Sequence, residues 1–134
     1  MRDFEYGQPD TLDAALALLS DSWGKVEVLA GGTDLITSIK QGITQPERVV
    51  SLKHVKELSG IQADGGALKV GAMTTLSDFI ANADVQKNFP ALVTAAKNIA
   101  APQILNMGTV GGDLLQRPRC WYFRQGFGLL ATHE

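Results

Sequence analysis

The stretch Leu29-Ala30-Gly31-Gly32-Thr33-Asp34-Leu35 constrains the fold more than any other part of the chain. It follows a β-like run, Val26 to Val28, and leads into a helix-like run carrying Leu35, Ile36 and Ile39. Two adjacent glycines admit positive φ and leave no side chain in the way of a close approach. Thr33 or Asp34 can cap the helix that follows through a side-chain oxygen. A strand, a bare turn and a helix start together form a concave patch of unpaired N–H groups suited to anions, phosphates above all. A tight strand–helix turn with no ligand accounts for the same residues.

The rest of the chain reads as alternating elements. Phe4 to Tyr6 suits an edge strand, and Gly7 to Pro9 a turn. Asp10 or Thr11 opens a helix with Leu12, Ala15, Leu16 and Leu19 on one apolar face, ended by Ser20 to Gly24. The helix after Thr33 runs to about Lys40 and stops at Gly42. Val49 to Leu52 is a buried strand, and His54 to Leu58 a helical turn. Ile61 to Ala63 and Leu68 to Val70 flank Asp64-Gly65-Gly66, a hairpin signal. Thr74 or Thr75 caps a helix carrying Leu76, Phe79 and Ile80, and Asp84 to Lys87 is a short turn. Pro90 begins a helix with Leu92, Val93, Ala96 and Ile99 inward, and Pro102 breaks or restarts it. The pattern predicts an α/β lobe over residues 1–70 and a more helical second lobe over 71–134.

Gly108-Thr109-Val110-Gly111-Gly112-Asp113-Leu114 echoes the first turn with a diglycine, an Asp and a Leu. Two such turns would suit a ligand carrying two phosphates. Two unrelated turns remain the alternative. Neither turn is a P-loop, for no lysine directly follows Gly32 or Gly112, and neither has the G-x-G-x-x-G spacing of a Rossmann turn.

Composition narrows the class. With 134 residues, 45% hydrophobic and 19% charged, one domain with a real core is the default. A formal charge of −2 argues against a general nucleic-acid binder. The single cysteine, Cys120, cannot form an internal disulfide, which suits a reducing cytoplasm. No apolar run reaches membrane-spanning length, and Met1 to Glu5 shows no signal-peptide pattern. His54 and His133 lack metal-ligand spacing and read as surface histidines; no metal site and no acid–base dyad is expected. Arg117, Arg119 and Arg124 surround Trp121, Tyr122 and Phe123. Such interleaving can bind single-stranded nucleic acid. Given the net charge, the favoured reading is a packing segment whose arginines face carboxylates, or a surface for a partner chain.

Ala30-Gly31-Gly32-Thr33-Asp34-Leu35 together with Gln103-Ile104-x-Asn106-x-Gly108-Thr109-Val110-Gly111-Gly112-Asp113 resembles the flavin-binding subunit of the molybdenum hydroxylases. That group includes xanthine dehydrogenase, carbon monoxide dehydrogenase and 4-hydroxybenzoyl-CoA reductase. The run Gln116 to Arg124 looks like the bacterial and archaeal branch, in which this is a separate subunit. The resemblance implies an α+β, two-lobed FAD-binding domain of the vanillyl-alcohol-oxidase type. It implies that Leu29 to Leu35 hold the pyrophosphate through backbone N–H groups and that Ile104 packs near the flavin or adenine. Gly108, Thr109, Gly111, Gly112 and Asp113 would serve the diphosphate and ribitol side. Family members commonly carry Asn where this chain has Asp113, whose charge opposes a nearby phosphate.

The resemblance also implies a molybdopterin-binding large subunit and an iron–sulfur small subunit as partners. FAD then passes electrons between the clusters and an external carrier. Family subunits continue well past the Cys-Trp-Tyr-Phe-Arg run, so the second lobe is expected to be truncated here. An incomplete sheet exposes an edge that favours homo-oligomers. A non-catalytic remnant that pairs with itself or a partner chain is therefore the alternative. Some relatives carry an extra iron–sulfur cluster near the Arg-Pro-Arg-Cys run, which Cys120 alone cannot ligate.

Overall fold

The computed structural model describes residues 2–127. Three strands form a parallel sheet: β1 (Glu5–Gly7), β2 (Val26–Leu29) and β3 (Arg48–Ser51), in the order β1-β3-β2. Helix α1 (Leu12–Ala17) connects β1 to β2, and α2 (Leu35–Lys40) connects β2 to β3. The register sets Arg48 beside both Glu5 and Val26. The central strand is the most buried, with Val49, Val50 and Ser51 all inside, as two flanking strands and a helix layer demand.

Thr11 begins α1, its hydroxyl accepting from Ala14 N at 3.2 Å. The expected apolar face of this helix is only partly inward. Ala15 is buried against Val50 and Val55, whereas Leu16 and Leu19 are exposed. The helix ends at Ala17, so a periodicity drawn to Leu19 runs past it, and Leu18 turns into the core instead.

After a 3-10 turn (Lys56–Leu58) come β4 (Ile61–Asp64) and β5 (Ala67–Val70), an antiparallel hairpin. Gly65 and Gly66, with φ of 53° and 94°, make its two-residue turn. Helices α3 (Leu76–Ala81), α4 (Ala83–Asn88) and α5 (Pro90–Lys97) pack on one another, burying Leu76, Val85, Val93 and Ala96. Asp84 to Lys87, expected as a turn, belong to α4. Asn82 starts it, its Oδ1 accepting from Val85 N at 3.0 Å. Leu92 and Ile99, expected inward, are exposed, and Ile99 lies beyond the end of α5.

Pro102 restarts the chain as α6 (Pro102–Leu105), followed by α7 (Val110–Leu114) and α8 (Trp121–Arg124). Residues 71–76 tie the two halves together. Gly71 N and Met73 N donate to Gly60 O and Leu58 O, while Ala72 O and Thr74 O accept from Gly111 N and Val110 N. The approach at Gly71 is close enough that a Cβ there would meet the Leu58 and Ser59 backbone. The sheet half and the helical half are thus sewn by main-chain hydrogen bonds as well as by the Arg117–Glu27 and Arg119–Asp34 ion pairs. Among the described residues no helix is long and apolar enough to cross a membrane. His133 and the segment Leu129 to Glu134 lie outside the described residues.

Candidate functional site

The decisive geometry is the meeting of the two diglycine turns. Gly31 lies directly against the second turn: a Cβ added to it would fall 2.7 Å from Met107 C, nearer still to Met107 O, and 3.2 Å from Gly108 Cα. Only a residue without a side chain permits that approach. A Cβ on Gly108 would come 3.9 Å from Thr33 Oγ1, and one on Gly112 would come 3.8 Å from Ala30 Cβ. Gly32 adopts φ +81°, the turn between β2 and α2.

Beside this contact lies a cleft of about 820 Å³. From the first turn, Ala30, Gly31, Gly32, Thr33, Asp34 and Leu35 line it. From the second half, Ile104, Gly108, Thr109, Gly111, Gly112 and Asp113 do so. Leu29 does not: it ends β2, and its carbonyl accepts from Leu52 N at 2.9 Å.

The turns differ in what they offer. Among the described residues, the N–H groups of Gly31, Gly32, Thr33, Asp34 and Leu35 donate to no protein acceptor. Five successive unspent donors in a side-chain-poor concavity are what an anionic linkage requires. The expected side-chain cap is absent: neither the Thr33 hydroxyl nor the Asp34 carboxylate accepts from a helix N–H, and the carboxylate turns to Arg119 at 2.9 Å instead.

The second turn is not a free nest. Gly111 N donates to Ala72 O at 2.9 Å, Gly112 N to Thr109 Oγ1 at 3.2 Å and Asp113 N to Thr109 O at 2.9 Å. Thr109 is buried and caps α7, while the Asp113 carboxylate accepts from Gln116 Nε2 at 3.1 Å. This turn therefore supplies shape and a close backbone surface, and the first supplies the donors. Spacing alone could not separate these roles, since both depend on which carbonyls the tertiary fold brings near.

Three arginines expected from the sequence to pack against carboxylates or to form a partner surface also line the cleft: Arg117, Arg119 and Arg124. Two of them do face carboxylates. Arg117 Nη2 reaches Glu27 Oε1 at 2.9 Å and Oε2 at 3.1 Å, and its guanidinium lies 4.8 Å from the centroid of the Trp23 ring. Glu27 is buried on β2 and also accepts from Thr44 Oγ1 at 3.3 Å. Cys120 is exposed and starts α8, its sulfur accepting from Phe123 N at 3.4 Å. His54 lies on the surface, 4.0 Å from Asp10. Among the described residues no three His, Cys, Asp or Glu side chains gather as a metal site.

Residues 2–120 match the model of the family described as the FAD binding domain in molybdopterin dehydrogenase. The chain belongs to this family. It is 40% identical over 111 residues to the carbon monoxide dehydrogenase medium chain of Hydrogenophaga pseudoflava, covering 83% of this chain and 39% of that one. It is 37% identical over 116 residues to the xanthine dehydrogenase FAD-binding subunit of Escherichia coli O157:H7, covering 85% and 39%. Among solved structures, it superposes on carbon monoxide dehydrogenase from Hydrogenophaga pseudoflava with a TM-score of 0.80 and 40% identity, over 84% of this chain and 39% of that chain. The chain thus spans about 39% of the length of these curated relatives. The mixed helix and strand content expected from the sequence agrees with these neighbours.

The residues present fit FAD. A dinucleotide needs hydrogen-bond donors for its diphosphate and a side-chain-free approach, and Gly31 to Leu35 provide both. The apolar side chains of Ile99, Ile104 and Leu76 line the same cleft and suit a planar ring.

Proposed function

We propose that this chain is the FAD-binding component of a molybdenum hydroxylase-type oxidoreductase. The observation that carries the reading is the seating of Gly31 on Met107 and Gly108, which puts both diglycine turns on one cleft. In this reading the domain is two-lobed, of the vanillyl-alcohol-oxidase type, with residues 1–70 forming one lobe and 71–134 the start of the other. The donors of residues 31–35 hold the diphosphate, with Ala30 beside them. Gly108, Thr109, Gly111 and Gly112 shape the opposite wall, and Ile104 packs on a ring. Leu29 contributes as the strand end that fixes the turn, not as a wall of the cleft. Asp113 is held off the anion by Gln116.

The flavin supplies the redox chemistry when bound, exchanging electrons between iron–sulfur clusters and an external donor or acceptor. The protein's part is position and electrostatics. The partners in this reading are a molybdopterin-binding large subunit and an iron–sulfur small subunit, in the cytoplasm. Support for an assembly comes from the relatives' names, which describe a medium chain and an FAD-binding subunit.

Self-association through a sheet edge is the second reading. Among the described residues the two outer strands, β1 and β2, each pair on one side only. Yet β1 has three residues and carries Glu5, which salt-bridges Arg48 at 2.6 Å, and a short charged edge gains little from an added strand. Titration of the purified chain with FAD, followed by quenching of flavin fluorescence, tests the first reading. Saturable binding of one FAD per chain is expected. A chain that takes up none and sediments as a dimer sides with the second.

A further inference from the structure

We infer that Arg119 is a phosphate-binding residue of this cleft, held ready by Asp34 and released to the anion when the ligand enters. The inference rests on the FAD reading above and adds a residue and an exchange of partners to it.

Three carboxylates line the cleft, Glu27, Asp34 and Asp113, along with three guanidinium groups, Arg117, Arg119 and Arg124. Their charges balance, so a doubly charged diphosphate gains nothing from the sum. It gains from a guanidinium that turns to it, and of the three only Arg119 is paired with a carboxylate of the donor turn itself. Arg117 cannot readily do so. It bonds both oxygens of a buried carboxylate and stacks over Trp23, and freeing it would strand the Glu27 charge in the interior.

Arg119 is placed differently. Its carboxylate, Asp34, sits within the donor turn itself, and both side chains keep access to solvent, at 58% for Arg119 and 35% for Asp34. The pair is therefore cheap to open. Pro118 fixes the backbone between the two arginines, so the Arg117 anchor holds Arg119 at the rim of the cleft. An anion seated on the N–H groups of residues 31–35 lies next to the Asp34 carboxylate, which repels it unless a cation stands between them. Arg119 meets that need by turning from the carboxylate to a phosphate oxygen, its charge then standing between the two.

The test compares FAD, ADP and riboflavin binding to the full chain and to Arg119→Gln, Arg119→Lys, Asp34→Asn and the Arg119→Gln/Asp34→Asn double variant. Arg119→Gln is expected to weaken FAD and ADP about tenfold to a hundredfold, the effect of losing one hydrogen bond to a charged group. Riboflavin, which lacks phosphate, should be unaffected. Arg119→Lys should restore most of the affinity, and adding Asp34→Asn to Arg119→Gln should recover part of it by removing the repulsion. Unchanged FAD affinity in Arg119→Gln overturns the inference while leaving the FAD reading intact. So does an equal loss for riboflavin, which would mark a merely structural role. If the parent chain binds neither FAD nor ADP, the FAD reading fails and this inference with it.

Discussion

Gly31→Ala is the most informative single perturbation, because the whole site depends on how closely two stretches of main chain approach. The added methyl would stand 2.7 Å from Met107 C and nearer still to Met107 O, and its three nearest neighbours are all backbone atoms. Carbon atoms in contact settle near 3.5–4.0 Å, so the two turns must part by about 1 Å. No rotamer change can relieve this, since main-chain atoms do not rotate away. Overpacking of this kind costs about 1–3 kcal/mol. The same displacement widens the cleft on the ligand side, and a shift of that size in a preorganised site should weaken FAD at least about tenfold. Gly66→Ala is the matched comparison. Its φ of 94° strains alanine, but nothing lies within 4 Å of the new methyl. It should lose about 1–2 kcal/mol through the backbone alone, with FAD affinity unchanged. Urea unfolding followed by tryptophan fluorescence gives the stabilities, and FAD titration gives the affinities. A Gly31→Ala chain with parental stability and parental FAD affinity would refute the claim that the turns abut.

Other substitutions probe the supports of the site. Val85 is fully buried among α3, α4 and α5, so Val85→Ala should cost about 2 kcal/mol in urea midpoint analysis with FAD binding retained under native conditions. Thr109→Val keeps the shape but removes the acceptor for Gly112 N, and should cost about 1 kcal/mol and loosen α7, read as faster amide exchange at Gly112. Glu27→Ala leaves Arg117 without its carboxylate. Because Arg117 is about a third exposed, the loss should be about 1–3 kcal/mol rather than the full cost of a buried pair, accompanied by a change in Trp23 emission.

Much of the chain's local structure was legible in the residues. Gly65-Gly66 between alternating apolar runs specifies a hairpin because only glycine accepts both φ values. Thr11 and Thr75 specify helix starts because their hydroxyls have one obvious donor each, three residues on. Even α4 was marked, by Asn82, although its short apolar pattern hid it. Periodicity does not say where a helix ends, so Leu19 and Ile99, which continue the apolar faces of α1 and α5, fall beyond the ends of those helices.

The sequence by itself determined the two bare turns, the strand and helix around the first, and the family to which such a pair belongs. Tertiary structure decided which turn donates. The N–H groups of the second are consumed by Ala72 and Thr109, partners that only the assembled fold brings within reach, while those of the first stay unspent. It likewise decided that Asp34 faces Arg119 instead of capping its own helix. Local chemistry lists the bonds a residue can make, and long-range packing selects among them, because a carboxylate or an amide spends its lone pair or proton on the best partner the fold supplies.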